Sequence, residues 1–257
     1  MTGRQLRLMA IALLVPIAMS GCALPLVSEV ELESESEAQF QKMRASQQIS
    51  TDAGDRSYIN CVSRAIIAEL DDPYSGKDWE IEVFDEEAIN AFAMPGGKIG
   101  VFTGILKVAE NQDQLSAVIG HEVAHVTEQH SLERVNREMT QQIGVIGASA
   151  AIGGGQGTYD LIQMGAQIGL SLPYGRGQES ESDIVGLRYM ASAGFDPRAS
   201  VQLWKNMDRE NKGAPPEWFS THPSSESRIS DLIEALPDAL SLYNNAKAAG
   251  KAPDCRR

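Results

Sequence analysis

Two histidines four residues apart, His121 and His125, with Glu122 beside the first, lie within an apolar stretch, and this triplet constrains the chain more than any other feature. At about 100° per residue, four residues bring His125 back to within about 40° of His121, so on a helix both imidazoles face one point. The flanking residues supply the helix. Leu115, Val118, Ile119, Val123 and Val126 recur at near-helical spacing, and Asn111 followed three residues later by Gln114 reads as a capping box at its start. Gly120, immediately before His121, costs a helix interior about 1 kcal/mol relative to alanine. It marks either a close approach by another element or a glycine the helix merely tolerates. Paired imidazoles are good ligands for Zn2+, and Glu122 is placed to take a proton from water activated by such an ion.

A zinc ion used for hydrolysis takes three protein ligands and keeps one position open, so a third ligand is expected downstream. Glu179 and Asp183 are again four apart, hence on one helical face. Glu179 supplies the ligand, and Asp183 the acceptor for the second ring nitrogen of a ligating histidine. By itself, the run Glu179-Ser180-Glu181-Ser182-Asp183 also reads as the solvated acidic start of a helix. The histidine pair upstream favours the ligand reading.

With these residues in hand the chain resembles the M48 metallopeptidases, and within them the periplasmic and outer-membrane lipoprotein subgroup. The stretch Asn90-Ala91-Phe92-Ala93-Met94-Pro95-Gly96-Gly97-Lys98-Ile99 is similar to the strand and turn ahead of that family's active helix. Ile119 to Val126 is similar to its zinc helix, Leu172 to Glu179 with Asp183 to its third-ligand segment, and Thr221-His222-Pro223 with Arg228-Ile229 to a motif near the end of the domain. Gly175 departs from the usual serine and Ser182 from the usual alanine, and neither change removes a ligand. The resemblance implies an α+β, mostly α, gluzincin-type zinc peptidase fold with a small antiparallel sheet packed beside the zinc helix. It also implies one Zn2+ per chain on His121, His125 and Glu179 (rather than Glu181), with Glu122 as general base. For His222 it implies an approach to the metal, either donating to the tetrahedral oxyanion or capping the open position; the residue-level alternative is a loop histidine orienting the next helix. Arg228 supports the oxyanion or the carboxylates, or forms a helix salt bridge with Glu226 or Asp231. His130, nine residues after His121, falls near the opposite helical face and is expected at the surface.

Arg4 and Arg7 precede an apolar run from Leu8 to Met19 that is short for a bilayer span, the form of an export signal. Met19-Ser20-Gly21-Cys22 resembles a bacterial lipobox, with Cys22 as the lipidation site, and Ala23 after it favours the outer membrane by resemblance to lipoprotein sorting rules. The expected organisation is therefore a signal peptide over residues 1–21, an acidic tether over 22–38 and one peptidase domain over 39–257, on the periplasmic face of the outer membrane. Removing residues 1–21 takes away two arginines and no acids, moving the net charge from −13 to −15, which argues against nucleic acid as a partner. Glu29, Glu31, Glu33, Glu35 and Glu37 read as a solvated tether or a helix start rather than a binding surface, the spacer being the reading taken. In an oxidising compartment Cys61 and Cys255 are candidates for a disulfide worth up to about 5 kcal/mol in the chain-entropy model. Cys61 also fits a helix core face with Ile66 and Leu70 as a reduced thiol.

Helices are expected over residues 36–48 and 54–71. Trp79, Ile81 and Val83 alternate with acids as in a half-buried strand, and Pro95-Gly96-Gly97 turns into a strand from Lys98 to Phe102. An exposed edge of that sheet is suited to pairing with an extended substrate peptide. Gly153, Gly154, Gly155 and Gly157 separate two apolar stretches within residues 141–178, as a lid or as a plain connector, and Ile143 to Ile152 is too short to span a membrane. The functional expectation is a zinc metalloendopeptidase degrading unfolded or misassembled envelope proteins. The alternative is a chaperone-like factor working with the outer-membrane assembly machinery, its protease site latent.

Overall fold

The computed structural model describes residues 26–151, 173–210, 218–222 and 226–257. The expected signal peptide, Cys22 and the glycine cluster at 153–157 lie outside them. Within the described residues helices dominate, around a three-stranded sheet.

The first helix, α1 (Glu29–Ser46), takes in residues 29–38 as its first half, so of the two readings of the acidic run the structure gives the helix start. A local signal drives it: Ser28 Oγ accepts from Glu31 N at 3.3 Å, and the Glu31 carboxylate accepts from Ser28 N at 2.8 Å. Leu32, Ser36 and Phe40, four apart, form one buried face. The acids are not a free spacer either, because Glu33 pairs with Lys77 and Glu37 with Lys98. Helix α2 (Ala53–Ile67) is capped by Asp52 and buries Ile59, Val62 and Ile66. Cys61 on this helix forms a disulfide with Cys255, tying the C-terminal segment to it with a Cα–Cα distance of 5.6 Å.

Strands β1 (Glu80–Phe84), β2 (Ala91–Met94) and β3 (Lys98–Phe102) pair in the order β1-β3-β2. Positive φ at Gly96 and Gly97 allows the tight reversal that makes β2 and β3 an antiparallel hairpin, with Ala93 opposite Ile99. The other pairing corrects the expected all-antiparallel sheet: β1 runs parallel to β3, with Val83 opposite Val101. The chain reverses between β1 and β2 and again into β3, so β1 and β3 run the same way. An all-antiparallel sheet requires β2 in the middle. Instead β3, buried at all five residues, takes the centre and leaves β2 at an edge. The alternation read for β1 also fails at Glu82, which is buried and paired with Arg44 and Arg56.

Helix α3 (Gln112–Thr127) runs through the centre of the domain and is buried over nearly its whole circumference. Its Leu115, Val118, Ile119 and Val123 join Ile59, Val62, Ile99 and Val101 in one core. Helix α4 (His130–Ala151) follows; α5 (Arg176–Ser192) packs along α3, with α6 (Arg198–Glu210), the short α7 (Trp218–Thr221) and α8 (Glu226–Ala248) beyond. No helix among the described residues is long and apolar enough to cross a membrane.

Candidate metal centre and active site

The site is built where α3 and α5 cross. Asn111 Oδ1 accepts from Gln114 N at 3.0 Å, starting α3 as the sequence suggests. The returning half of the box is displaced by one residue, since Gln114 Oε1 accepts from Glu110 N at 2.9 Å. Asn206 Nδ2 on α6 donates to the same oxygen at 3.0 Å and anchors the helix start. Gly120 proves to be a close-approach glycine: a Cβ there would stand 2.8 Å from the Gly186 carbonyl oxygen of α5. Gly186 is equally confined, its Cβ falling 2.6 Å from His121 N. With backbone against backbone, the carboxylates of α5 reach the imidazoles of α3.

His121, His125, Glu179 and His222 converge, with one donor atom from each lying within 4.8 Å of the others, all four residues buried. His121 Nε2 is 3.1 Å from His125 Nε2 and 3.2 Å from His222 Nδ1. Glu179 Oε1 is 3.1 Å from His222 Nδ1 and 3.4 Å from His125 Nε2, while Glu179 Oε2 is 3.6 Å from His121 Nε2. Donors about 2.0–2.2 Å from a tetrahedral ion stand roughly 3.3–3.6 Å from one another, so these edges fit a zinc-sized cation. The set is rich in lone pairs and poor in protons, a condition that a cation satisfies.

Each ligand candidate is held from behind. Asp183 Oδ1 lies 2.9 Å from His121 Nδ1; a carboxylate only accepts, so the proton sits on Nδ1 and the bare Nε2 faces inward. Arg228, on the first turn of α8, donates from Nε to Asp183 Oδ2 at 2.6 Å and from Nη1 to Glu179 Oε2 at 2.6 Å. Its guanidinium lies over the Trp204 ring, 3.8 Å from the centroid. Of the roles read for Arg228 in the sequence, the structure gives it support of the carboxylates. Burial works against ionisation of Asp183, but the Arg228 charge and hydrogen bonds, with His121, hold its carboxyl below the ordinary value. Glu179 is held well below the ordinary range too, burial being overcome by His125 and His222. Burial keeps His125 neutral, lowering it well below an ordinary imidazole. In His121 the same burial is outweighed by Asp183 and Glu179, which raise it.

Glu122 is buried beside the donor set without belonging to it. Its Oε1 accepts from Trp218 Nε1 at 2.9 Å and lies 3.4 Å from His222 Nε2. Glu181 points away, its side chain about half exposed, whereas Glu179 is fully buried among the donors. His130 corrects the expectation of a surface residue, being buried with Nδ1 3.0 Å from His125 Nδ1. The angular count that put it on the far face assumes one continuous helix. In fact α3 ends at Thr127, Gln129 takes a positive φ of 56°, and His130 opens a new helix. All four histidines of the chain thus meet at one place. Sequence reasoning assigned no role to Tyr174 or Trp218: the Tyr174 ring stacks on His125 at 3.7 Å, and its hydroxyl is 3.0 Å from Ser131 Oγ. Neither aromatic carries a spacing signal that would have marked it.

The buried group of His121, His125, Glu179 and His222 could hold a metal ion, and Glu122, next to the first histidine, stands outside it. The sequence profile of Peptidase family M48 matches residues 54–236, and the chain belongs to that family. The mitochondrial metalloendopeptidase OMA1 of Schizosaccharomyces pombe is 38% identical over 185 residues, covering 71% of this chain and 53% of that protein. The human mitochondrial metalloendopeptidase OMA1 is 36% identical over 177 residues, 64% of this chain and 34% of that protein. The beta-barrel assembly-enhancing protease of Yersinia pestis is 29% identical over 205 residues, 74% of this chain and 40% of that protein. The chain therefore matches between a third and about half of the length of these relatives.

Proposed function

We propose that this chain is a zinc-dependent endopeptidase whose resting site is capped by His222, acting on unfolded or misassembled proteins of a bacterial envelope. The observation that carries the reading is the convergence of His121, His125 and Glu179 at donor spacings that fit a tetrahedral ion, with Glu122 adjacent and unligated. Bound Zn2+ would supply the Lewis acidity that makes water nucleophilic near neutral pH. Glu122 takes the proton of the attacking water and returns it to the leaving amine. Trp218 holds the Glu122 oxygen that faces His222, fixing the carboxylate while the proton moves. Asp183 and Arg228 keep His121 and Glu179 in place. The edge strand β2 offers unpaired main-chain groups for an extended, and hence unfolded, substrate segment.

Support for the cap comes from His222 Nδ1, which stands as the fourth donor, 3.2 Å from His121 Nε2 and 3.1 Å from Glu179 Oε1. Placed there it occupies the position a substrate carbonyl needs. The same burial favours a second reading, an assembly factor whose protease activity is latent. The name of the Yersinia relative joins assembly and proteolysis in one protein. The lipobox-like Met19 to Cys22 is the support for an outer-membrane anchor.

The test is cleavage of one protein in folded and unfolded forms by wild type and His222→Ala. A cap predicts faster basal cleavage of the unfolded form and weaker zinc retention in the variant. A rate lowered by about 100- to 1000-fold with zinc held would make His222 an oxyanion donor instead. No change in either leaves it a loop residue and removes the cap. Mass spectrometry of the exported protein tests the anchor: a mature N-terminus without lipid, away from Cys22, overturns it.

A further inference from the structure

The two histidines of α3 are held by different devices. His121 leans on Asp183, whereas His125 Nδ1 lies 3.0 Å from His130 Nδ1, with no carboxylate there among the described residues. The protons in this pair can be assigned from the far side. His130 Nε2 lies 3.2 Å from Glu181 Oε2, and because a carboxylate only accepts, Nε2 carries the proton. Neutral His130 then has a bare Nδ1. That nitrogen accepts from His125 Nδ1–H, which leaves His125 Nε2 bare and pointing at the donor set 3.1 Å from His121 Nε2. Ser182 Oγ, 3.1 Å from the same His130 nitrogen, fixes the ring from α5. Ser182 stands where the family resemblance leads one to expect alanine, so this contact comes from a departure of this chain. Tyr174, stacked on His125 at 3.7 Å, fixes the plane in which its Nδ1 meets His130.

We propose that His130 is the positioning residue of His125: an imidazole acceptor, polarised by Glu181 and seated by Ser182, that selects the tautomer and ring orientation with which His125 ligates the metal. The inference deepens the metal-site reading and rests on it. The positive φ at Gln129 serves this arrangement, because it ends α3 two residues after His125 and turns the first residue of α4 back onto that imidazole. A continuous helix would carry position 130 away from His125, to a different face.

The experiment is zinc affinity by chelator competition on the purified chain for wild type, His130→Ala, His130→Asn and Glu181→Leu, with the absorption spectrum of the Co2+-substituted forms. His130→Ala removes the acceptor and lowers zinc affinity by about 10- to 100-fold, with a changed Co2+ spectrum. His130→Asn, whose amide oxygen replaces the Nδ1 acceptor, recovers most of the affinity, while Glu181→Leu, which frees the His130 ring, loses roughly 3- to 10-fold. A purely structural role predicts lower melting temperatures in the chelated His130 variants with zinc affinity unchanged in the folded protein, and that result overturns the proposal. Should His130→Ala fail to fold, wild-type affinity and spectrum in the surface variant Glu181→Leu overturn it. If wild type itself binds no zinc, the metal-site reading falls and takes the inference with it; if wild type binds and the variants bind equally, only the inference falls.

Discussion

Replacing Gly186 by alanine tests the geometry that assembles the site, because helix propensity and packing predict opposite signs. In a helix with room to spare, glycine to alanine stabilises by about 1 kcal/mol. Here the added Cβ would lie 2.6 Å from His121 N, 2.7 Å from Gly120 C and 2.9 Å from Gly120 O, all backbone atoms that no side-chain rotation moves aside. Ordinary contact begins near 3.4 Å, so α3 and α5 must part by about 0.8 Å at the crossing. Overpacking of this kind costs about 1–3 kcal/mol, leaving a net loss of up to about 2 kcal/mol after the propensity gain. At about 2–4 °C per kcal/mol for a domain of this size, the chelated protein should melt lower by up to about 8 °C. The shift also moves Glu179, two turns along α5, away from His121 and His125. Metal–ligand distances tolerate only about 0.2 Å, so zinc affinity should fall together with the melting temperature. Scanning calorimetry on chelated and zinc-loaded protein reads both effects. A chelated Gly186→Ala protein that melts higher than wild type would refute the close approach and the assembly argument resting on it.

Arg228→Met leaves the buried Glu179 and Asp183 carboxylates without their guanidinium, and urea denaturation should show a loss of about 3–5 kcal/mol; a loss under about 1 kcal/mol would mean the pairs contribute little. Glu179→Gln should lower zinc content by elemental analysis far more than Glu181→Gln, since only Glu179 points among the donors, and equal losses would reverse that assignment. The chelated domain should lose stability in acid. Glu179 and Asp183 titrate below their ordinary values when folded, so their contribution is present above about pH 4 and lost as pH falls through the lower folded values. His125, lowered by burial, adds the same sign below about pH 6.5, and denaturation curves that stay flat between about pH 5 and 2 would contradict this.

The residues most legible in the sequence are those whose roles are set within one helical turn. His121 with His125, and Glu179 with Asp183, share a face by spacing alone, and the Asn111 cap acts over three residues. Strand order is not of that kind. The strand around Ile81 and Val83 is visible by alternation, the Gly96-Gly97 turn into β3 by residue type, and β2 only through the family resemblance, yet β1 beside β3 depends on which strand the core covers. His130 was misplaced because a left-handed residue at 129 breaks the helical count without glycine to announce it. Arg228 was left open because its partners lie 45 and 49 residues away, where spacing says nothing. The start of α1 carries a local signal as well, since Ser28 and Glu31 form a capping box, whereas the alternating acids by themselves leave a tether and a helix start both open.

The central claim is a zinc site in which Glu122 moves the proton and binds no metal. Its most direct test is Glu122→Gln beside wild type, measuring zinc content and cleavage of an unfolded protein in the same preparations. Both should hold one zinc per chain and have stabilities equal within about 1 kcal/mol, with a rate at least ~100-fold lower in the variant. Unchanged turnover in the zinc-loaded variant would contradict the general-base role, and a wild-type protein that takes up no zinc after reconstitution would contradict the site itself.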